Sequence, residues 1–248
     1  MAFLVATKKK DESGKTKVLG KKIVYNDAKA LMGMYHEIIH DENYKFISKH
    51  EAPVIVDVGA NIGISILYFY SLYPNSTLIA VEADPKIAEI LSNNLKINNC
   101  PAEVIQKALW SEPGLSLSFA QKGADAGTLY GDENTVDVKT ISIPELLAPY
   151  EYIDLLKIDI EGAEIEVLKN IGTSFNKVDH VFIEFHSFLG QPQNLEFILQ
   201  TMAEQGFRYK ILPGRKVKTP FLPEKTKHDM DLQLNIFFSR DFNHTEFG

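Results

Sequence analysis

From Pro53 onward the chain alternates short apolar runs with amphipathic stretches, and this ordering constrains the fold more than any other feature. Strand-length apolar runs are predicted at Val54–Val58, Leu78–Glu82, Glu103–Leu109, Tyr152–Asp159 and His180–Phe185. Helical periodicity is expected at Ile64–Tyr73, Pro85–Asn98, Gly162–Asn170 and Gln193–Gln205. Strands without a polar face, each leading into a helix, require a parallel sheet covered on both sides, because parallel neighbours are joined by crossovers. The tail adds Tyr209–Leu212 and Gln233–Ser239, and Leu115–Phe119 and Val136–Ile141 read as extra strands around the polar loop Gly123–Asn134.

Residues 1–50 read as an N-terminal arm and covering helix, and residues 51–248 as one globular unit. Two β-rich runs, Ala2–Lys8 and Lys15–Tyr25, flank Asp11-Glu12-Ser13-Gly14, whose turn-forming residues suggest a hairpin or extended arm. Asn26 or Asp27 can then cap a helix with Ala28, Leu31, Met32, Tyr35, Ile38 and Ile39 on one face. The single cysteine, Cys100, excludes an internal disulfide and any multi-cysteine metal site, which suits a reducing cytoplasm. The run Met1–Thr7 is too short to span a bilayer, so no membrane span is expected. A net charge of -7 weighs against a nucleic-acid binder.

The densest local signal is Val54-Ile55-Val56-Asp57-Val58-Gly59-Ala60-Asn61-Ile62-Gly63-Ile64-Ser65. A buried strand enters a helix through two glycines, so backbone N–H groups can approach a ligand at the helix start. Asn61 and Ile64 replace glycines of the dinucleotide fingerprint, and Asp57 would repel a pyrophosphate but suits a cation such as a sulfonium with its ammonium group. The next strand ends in Ala80-Val81-Glu82-Ala83-Asp84-Pro85, where Glu82 can accept hydrogen bonds from ribose hydroxyls. Together these residues resemble the S-adenosyl-L-methionine site of Rossmann-like, class I methyltransferases.

A second signal, Asp154-Leu155-Leu156-Lys157-Ile158-Asp159-Ile160-Glu161-Gly162-Ala163-Glu164, places Lys157 and Asp159 on one side of a strand, with Glu161 following at its carboxyl end. With the upstream glycine loop and Glu82-Ala83-Asp84-Pro85, it resembles the FkbM-type methyltransferases, from about Glu37 to Phe238. The resemblance extends to His36-Glu37-Ile38-Ile39, Tyr44-Lys45-Phe46 and Ala108-Leu109-Trp110-Ser111. It implies an α/β, Rossmann-like, seven-stranded and mostly parallel sheet with helices on both faces and the last strand antiparallel. It also implies methyl transfer from S-adenosyl-L-methionine to a hydroxyl oxygen of a sugar, glycan or polyketide-like small molecule. By position, Asp57, Gly59, Ala60, Asn61, Gly63 and Ser65 would hold the amino-acid part of the cofactor, Glu82, Ala83 and Asp84 the ribose side, and Lys107, Ala108 and Leu109 the adenine edge. Thr140-Ile141-Ser142 departs from the family's acidic turn, and Gly123–Thr128 matches it loosely.

Methyl transfer needs in-line alignment and, for a sugar hydroxyl, a base. Asp159 and Glu161 are candidates to orient or deprotonate the acceptor, with Lys157 restraining their charge. Glu184 and His186 share a face at the end of the neighbouring strand, and a near-neutral pKa would make His186 a base. A structural ion pair is the alternative for Lys157 and Asp159, and a capping or satisfied core residue for His186, while Tyr44 either closes over the cofactor or packs as an ordinary aromatic. His36 and His40 show no third ligand, so no metal site is expected. Three other functions stay open: a metal-dependent O-methyltransferase using Asp159 with another Asp and an Asn, an N-methyltransferase, and a non-catalytic cofactor-binding protein. Against the N-methyltransferase, Asp159-Ile160-Glu161-Gly162 lacks the motif of base-modifying enzymes. The charge is uneven, with an acidic middle between a basic arm and a basic stretch holding Arg208, Lys210, Arg215, Lys216 and Lys218. Folded over the strand ends, these cations would favour an anionic acceptor; two solvated charge runs are the alternative.

Overall fold

The computed structural model describes residues 12–120, 135–214, 219, 221 and 229–241. In chain order it contains β1 (Gly14–Val18), β2 (Lys21–Tyr25), α1 (Ala28–Met34) continued by a π-helical turn Tyr35–His40, β3 (Val54–Val58), α2 (Ile64–Leu72), β4 (Thr77–Val81) and α3 (Pro85–Ile97). There follow β5 (Glu103–Ile105), β6 (Ala108–Leu109), β7 (Ser116–Ala120), β8 (Thr135–Ile141), α4 (Ile143–Leu147), β9 (Ile153–Ile158) and α5 (Glu164–Val167). The last elements are a 3-10 turn Ser174–Lys177, β10 (Val178–Phe188), α6 (Leu195–Glu204), β11 (Arg208–Pro213) and β12 (Met230–Ser239).

Seven strands form the central sheet in the order β11-β12-β10-β9-β3-β4-β5. Strands β5, β4, β3, β9 and β10 run parallel, and β12 inserts antiparallel between β10 and β11. The α/β, mostly parallel sheet expected from the sequence is thus present. The chain leaves β3 toward β4 on one side and later returns to β9 on the other, which makes the β3/β9 boundary the point where ligands bind in open α/β sheets. Strands β6, β8 and β7 form a separate three-stranded sheet.

Alternation along the strands sorts the interior into two cores. Val54, Val56 and Val58 pack with Leu156, Ile158, Ile183 and Met202 on one face. On the other, Ile55, Leu155 and Phe182 meet Ile23, Tyr25, Leu31, Tyr44 and Phe69 of the N-terminal cover and α2. The cover is pinned to α3 by Asn94, whose amide donates to Val24 O and Ile62 O and accepts from Val24 N, and by Asn98, which bonds both Lys22 N and Lys22 O. Asp27 caps α1 by accepting from Lys29 N and Ala30 N.

Four boundaries differ from expectation. The hairpin turns at Leu19-Gly20, inside the second β-rich run, because β1 pairs with β2 from Gly14↔Tyr25 to Val18↔Lys21; the expected first strand lies outside the described residues. Glu103–Leu109 is broken at Gln106-Lys107, and its two halves pair with different sheets, β5 with β4 and β6 with β8. The helix expected over Gly162–Asn170 contracts to the single turn Glu164–Val167. Strand β10 runs on to Phe188, held by β12, so His186 lies within the strand and not after it. The expected loop Gly123–Asn134 falls outside the described residues, except that β8 begins after it.

Candidate active site

The glycine loop sits where β3 meets β4 and β9. Gly59 N and Ala60 N donate to Val81 O, and Asn61 N donates to Glu82 Oε2 at 2.9 Å. Gly59 adopts φ +78, and a Cβ there would lie 1.7 Å from Asp159 O. Only glycine lets the end of β3 close on the end of β9. Gly63, φ +89, begins α2, and a Cβ there would meet Leu91 of α3 at 2.6 Å. The loop is therefore fixed from both sides, with the start of α2 at the switch point.

The expected cofactor residues divide by role. Asp57 is fully buried; Ser65 Oγ donates to its Oδ2, and Lys157 Nζ lies 3.2 Å from its Oδ1. The cation beside Asp57 in the protein is thus Lys157. Glu82 accepts from Asn61 N and Asp84 N, one bond to each oxygen, which leaves lone pairs on both for ribose hydroxyls. Burial pushes its carboxyl up to about 7, against the lowering effect of those two backbone donors. Asp84 caps α3, accepting from Lys86 N at 2.8 Å, so its side chain serves the helix. Ala83 packs against the small cluster of Ala108 and Val138, so the residues expected at the ribose side and at the adenine edge lie close together. Leu109 belongs to the core, and Lys107 is at the surface, 3.4 Å from Glu145.

The second part of the site follows from register. On the cover face, β3, β9, β10 and β12 carry apolar residues at one end, Ile55, Leu155, Phe182 and Phe237. Two residues further along, the same face becomes polar, with Asp57 beside Lys157 and Glu184 opposite Asn235. Asp159 and His186 come next along β9 and β10. Lys157 is 2% exposed; its ammonium reaches Asp57 at 3.2 Å, Asp159 Oδ2 at 3.3 Å and Gly59 O at 3.3 Å, and lies 5.6 Å from the centre of the Tyr44 ring. Burial alone would lower its pKa, but Asp57 and Asp159 overcome that and hold it above the usual range.

His186 is enclosed by carboxylates. Its Nδ1 is 3.0 Å from Glu164 Oε1, and its Nε2 is 3.7 Å from Glu161 and 3.8 Å from Glu184. Burial favours the neutral ring, but Glu164, followed by Glu161 and Glu184, outweighs it and raises the pKa well above the ordinary value. The near-neutral titration expected from the sequence is corrected: an imidazolium has no lone pair with which to remove a proton. Burial, then Asp159, raises Glu184 well above the carboxylate range, and Gln233 donates to it.

Three contributors escaped the sequence reading of the site. Glu37, on the π-helical turn, accepts from Tyr44 OH at 3.0 Å and Asn235 Nδ2 at 3.2 Å, and burial followed by Asp159 raises its pKa. Glu164 holds His186 and accepts from Gly162 N at 3.0 Å. Asn235 joins the cluster from β12. The signal available in advance for Glu37 was its place in the stretch resembling the FkbM-type enzymes. Tyr44 is a packed aromatic, 4.7 Å from Phe182 between ring centroids, whose hydroxyl serves Glu37. His36 and His40 are exposed and touch each other edge-on, and no third ligand joins them among the described residues. Of the basic stretch, Arg208 and Lys210 lie on β11, while Arg215, Lys216 and Lys218 fall outside the described residues. No helix among the described residues is long and apolar enough to cross a membrane.

Comparison with known proteins shows the family. The family profile described as Methyltransferase FkbM domain matches residues 57–209, which spans the glycine loop, Glu82, the β9 charges and His186. The methyltransferase sdnD of Sordaria araneosa is 30% identical over 212 residues, covering 70% of this chain and 81% of its own length. The hexuronic acid methyltransferase AglP of Haloferax volcanii is 30% identical over 142 residues, covering 55% of this chain and 57% of its own. The crystal structure of Methyltransferase FkbM from Methylobacillus flagellatus KT shares the fold, with a TM-score of 0.54 and 13% identity over 85% of this chain and 53% of that one. This chain belongs to the FkbM methyltransferase family.

Proposed function

We propose that the protein transfers the methyl group of S-adenosyl-L-methionine to a hydroxyl oxygen of a sugar, glycan or polyketide-like small molecule. The observation that supports this reading is the close approach of Gly59 to Asp159, which sets the glycine loop beside a cluster of carboxyl groups. The donor side fits the cofactor: a helix start without an intruding side chain at Gly63, a ribose acceptor at Glu82, and small residues, Ala83 and Ala108, beside the adenine position. When bound, the cofactor supplies an electrophilic methyl on a sulfonium. The chain's own residues do the rest. Asp159 and Glu161 reach solvent, with side chains 23% and 27% exposed, so Asp159 orients the hydroxyl and Glu161 takes its proton. Lys157 holds Asp159 in place through the ion pair at 3.3 Å. His186 positions Glu161, Glu164 and Glu184 as their shared cation.

The relative named for hexuronic acid supports an acidic sugar as the acceptor. The test is incubation with isotopically labelled S-adenosyl-L-methionine and fractionated glycans, lipids and small metabolites, followed by mass spectrometry. Label is expected as an O-methyl ether, and Asp159→Asn should abolish it while S-adenosylhomocysteine still binds. Label on nitrogen, or unchanged turnover in Asp159→Asn, would refute the reading.

A further inference from the structure

We infer that Asp159, Glu184 and His186 form a divalent-cation site that holds the acceptor in the recess. This rests on the acceptor recess proposed above. One ligand atom from each residue lies within 4.8 Å of the others, a spacing that one ion at its centre spans. Asp159 reaches it from the end of β9, and Glu184 and His186 from one face of β10, so the rigid centre of the sheet sets their separation. Glu164 engages His186 Nδ1 and thereby directs Nε2 into the recess, the arrangement by which a carboxylate orients a metal-binding histidine.

A fourth group stands beside them on the neighbouring strand. Asn235 is 5% exposed, and its Oδ1 has no hydrogen-bond partner. Asn235 stands directly opposite Glu184 in the β10–β12 register, and its Nδ2 is spent on Glu37. A buried amide oxygen left unsatisfied costs stability, and a hard cation satisfies it. The surrounding charge agrees. Glu37, Asp57, Asp159, Glu161, Glu164 and Glu184 cluster around Lys157 and His186, an acidic excess among the described residues. A carboxylate-bearing sugar would be repelled by this recess and attracted once an ion bridges the two. Two carboxylates, one imidazole and one amide oxygen suit an octahedral ion of the Mn²⁺ type, with positions left for two acceptor oxygens. The ion occupies the Nε2 position that a proton holds without it.

The experiment is Mn²⁺ titration of the full chain, stripped with chelator and followed by electron paramagnetic resonance. One ion per chain is expected, with modulation from an imidazole nitrogen in the spin-echo spectrum. Glu184→Gln and Glu164→Gln should weaken Mn²⁺ at least about tenfold. S-adenosylhomocysteine affinity, read by calorimetry on the same samples, should stay within a few-fold. No bound Mn²⁺ in the wild-type chain, no nitrogen modulation, or equal affinity in both variants would overturn the site. Loss of S-adenosylhomocysteine binding with Mn²⁺ retained would instead count against the methyl-transfer reading and leave the ion site standing.

Discussion

Replacing Lys157 by Met keeps the length of the side chain and removes one charge from the centre of the site. Its ammonium lies 3.2 Å from Asp57 Oδ1, and both residues are almost fully buried. At an effective dielectric of about 20, that pair alone is worth about 5 kcal/mol of attraction. Desolvation of the ammonium offsets part of it, and Ser65 continues to donate to Asp57. The variant nonetheless leaves Asp57 buried without its cation, and breaking a buried pair from one side costs about 3–5 kcal/mol. Urea unfolding of Lys157→Met should show that loss at unchanged m-value. Lys157→Met with Asp57→Asn should recover at least about half of it, because the uncompensated charge is gone. A loss below about 1 kcal/mol in the single variant, or no recovery in the double one, would refute the view that Lys157 neutralises the buried carboxylate of Asp57.

Gly59→Ala tests the closure of β3 on β9. The new Cβ would sit 1.7 Å from Asp159 O, so the strands must part and the Asp159 N to Val58 O bond at 3.1 Å must stretch. Left-handed strain of about 1–2 kcal/mol plus about 1 kcal/mol for the bond gives a loss of about 2–3 kcal/mol. Gly20→Ala, with φ +74 and open space around it, should lose only the strain, so equal losses in urea unfolding would contradict the steric account. Glu82 gives a pH dependence. Its carboxyl sits at about 7 in the free protein, and ribose hydroxyls favour the ionised form, so cofactor binding expels a proton. S-adenosylhomocysteine affinity should fall roughly tenfold from pH 8 to pH 6, with proton release seen by calorimetry in buffers of different ionisation enthalpy. A pH-independent affinity would remove Glu82 from the ribose contact.

What could be read in advance follows from how local each feature is. The strands β3, β4 and β9 are legible because their residues are apolar on both faces, and the glycine loop because its conformation allows few other residues. The hairpin was misplaced because Asp11-Glu12-Ser13-Gly14 has the better turn composition, whereas the chain turns at Leu19, which takes φ +49 without being glycine. Pairing with β2 decided that, and pairing is not a local property. The reach of β10 to Phe188 likewise depends on β12, far along the chain. Asp57, Lys157 and Asp159 announced themselves as charges inside apolar runs. Glu37 and Asn235 did not, since they meet across 198 positions and only the sheet order brings them together. The titration of His186 was misjudged for the same reason: Glu161 and Glu164 belong to another crossover and surround it only in the folded chain.

The central claim is that the glycine loop between β3 and α2 binds the methyl donor. Calorimetric titration of the wild-type chain with S-adenosylhomocysteine tests it most directly. Saturable binding of one molecule per chain, weakened at least about tenfold by Glu82→Ala, is the result the account predicts. No saturable binding, or an affinity that Glu82→Ala leaves unchanged, would contradict it.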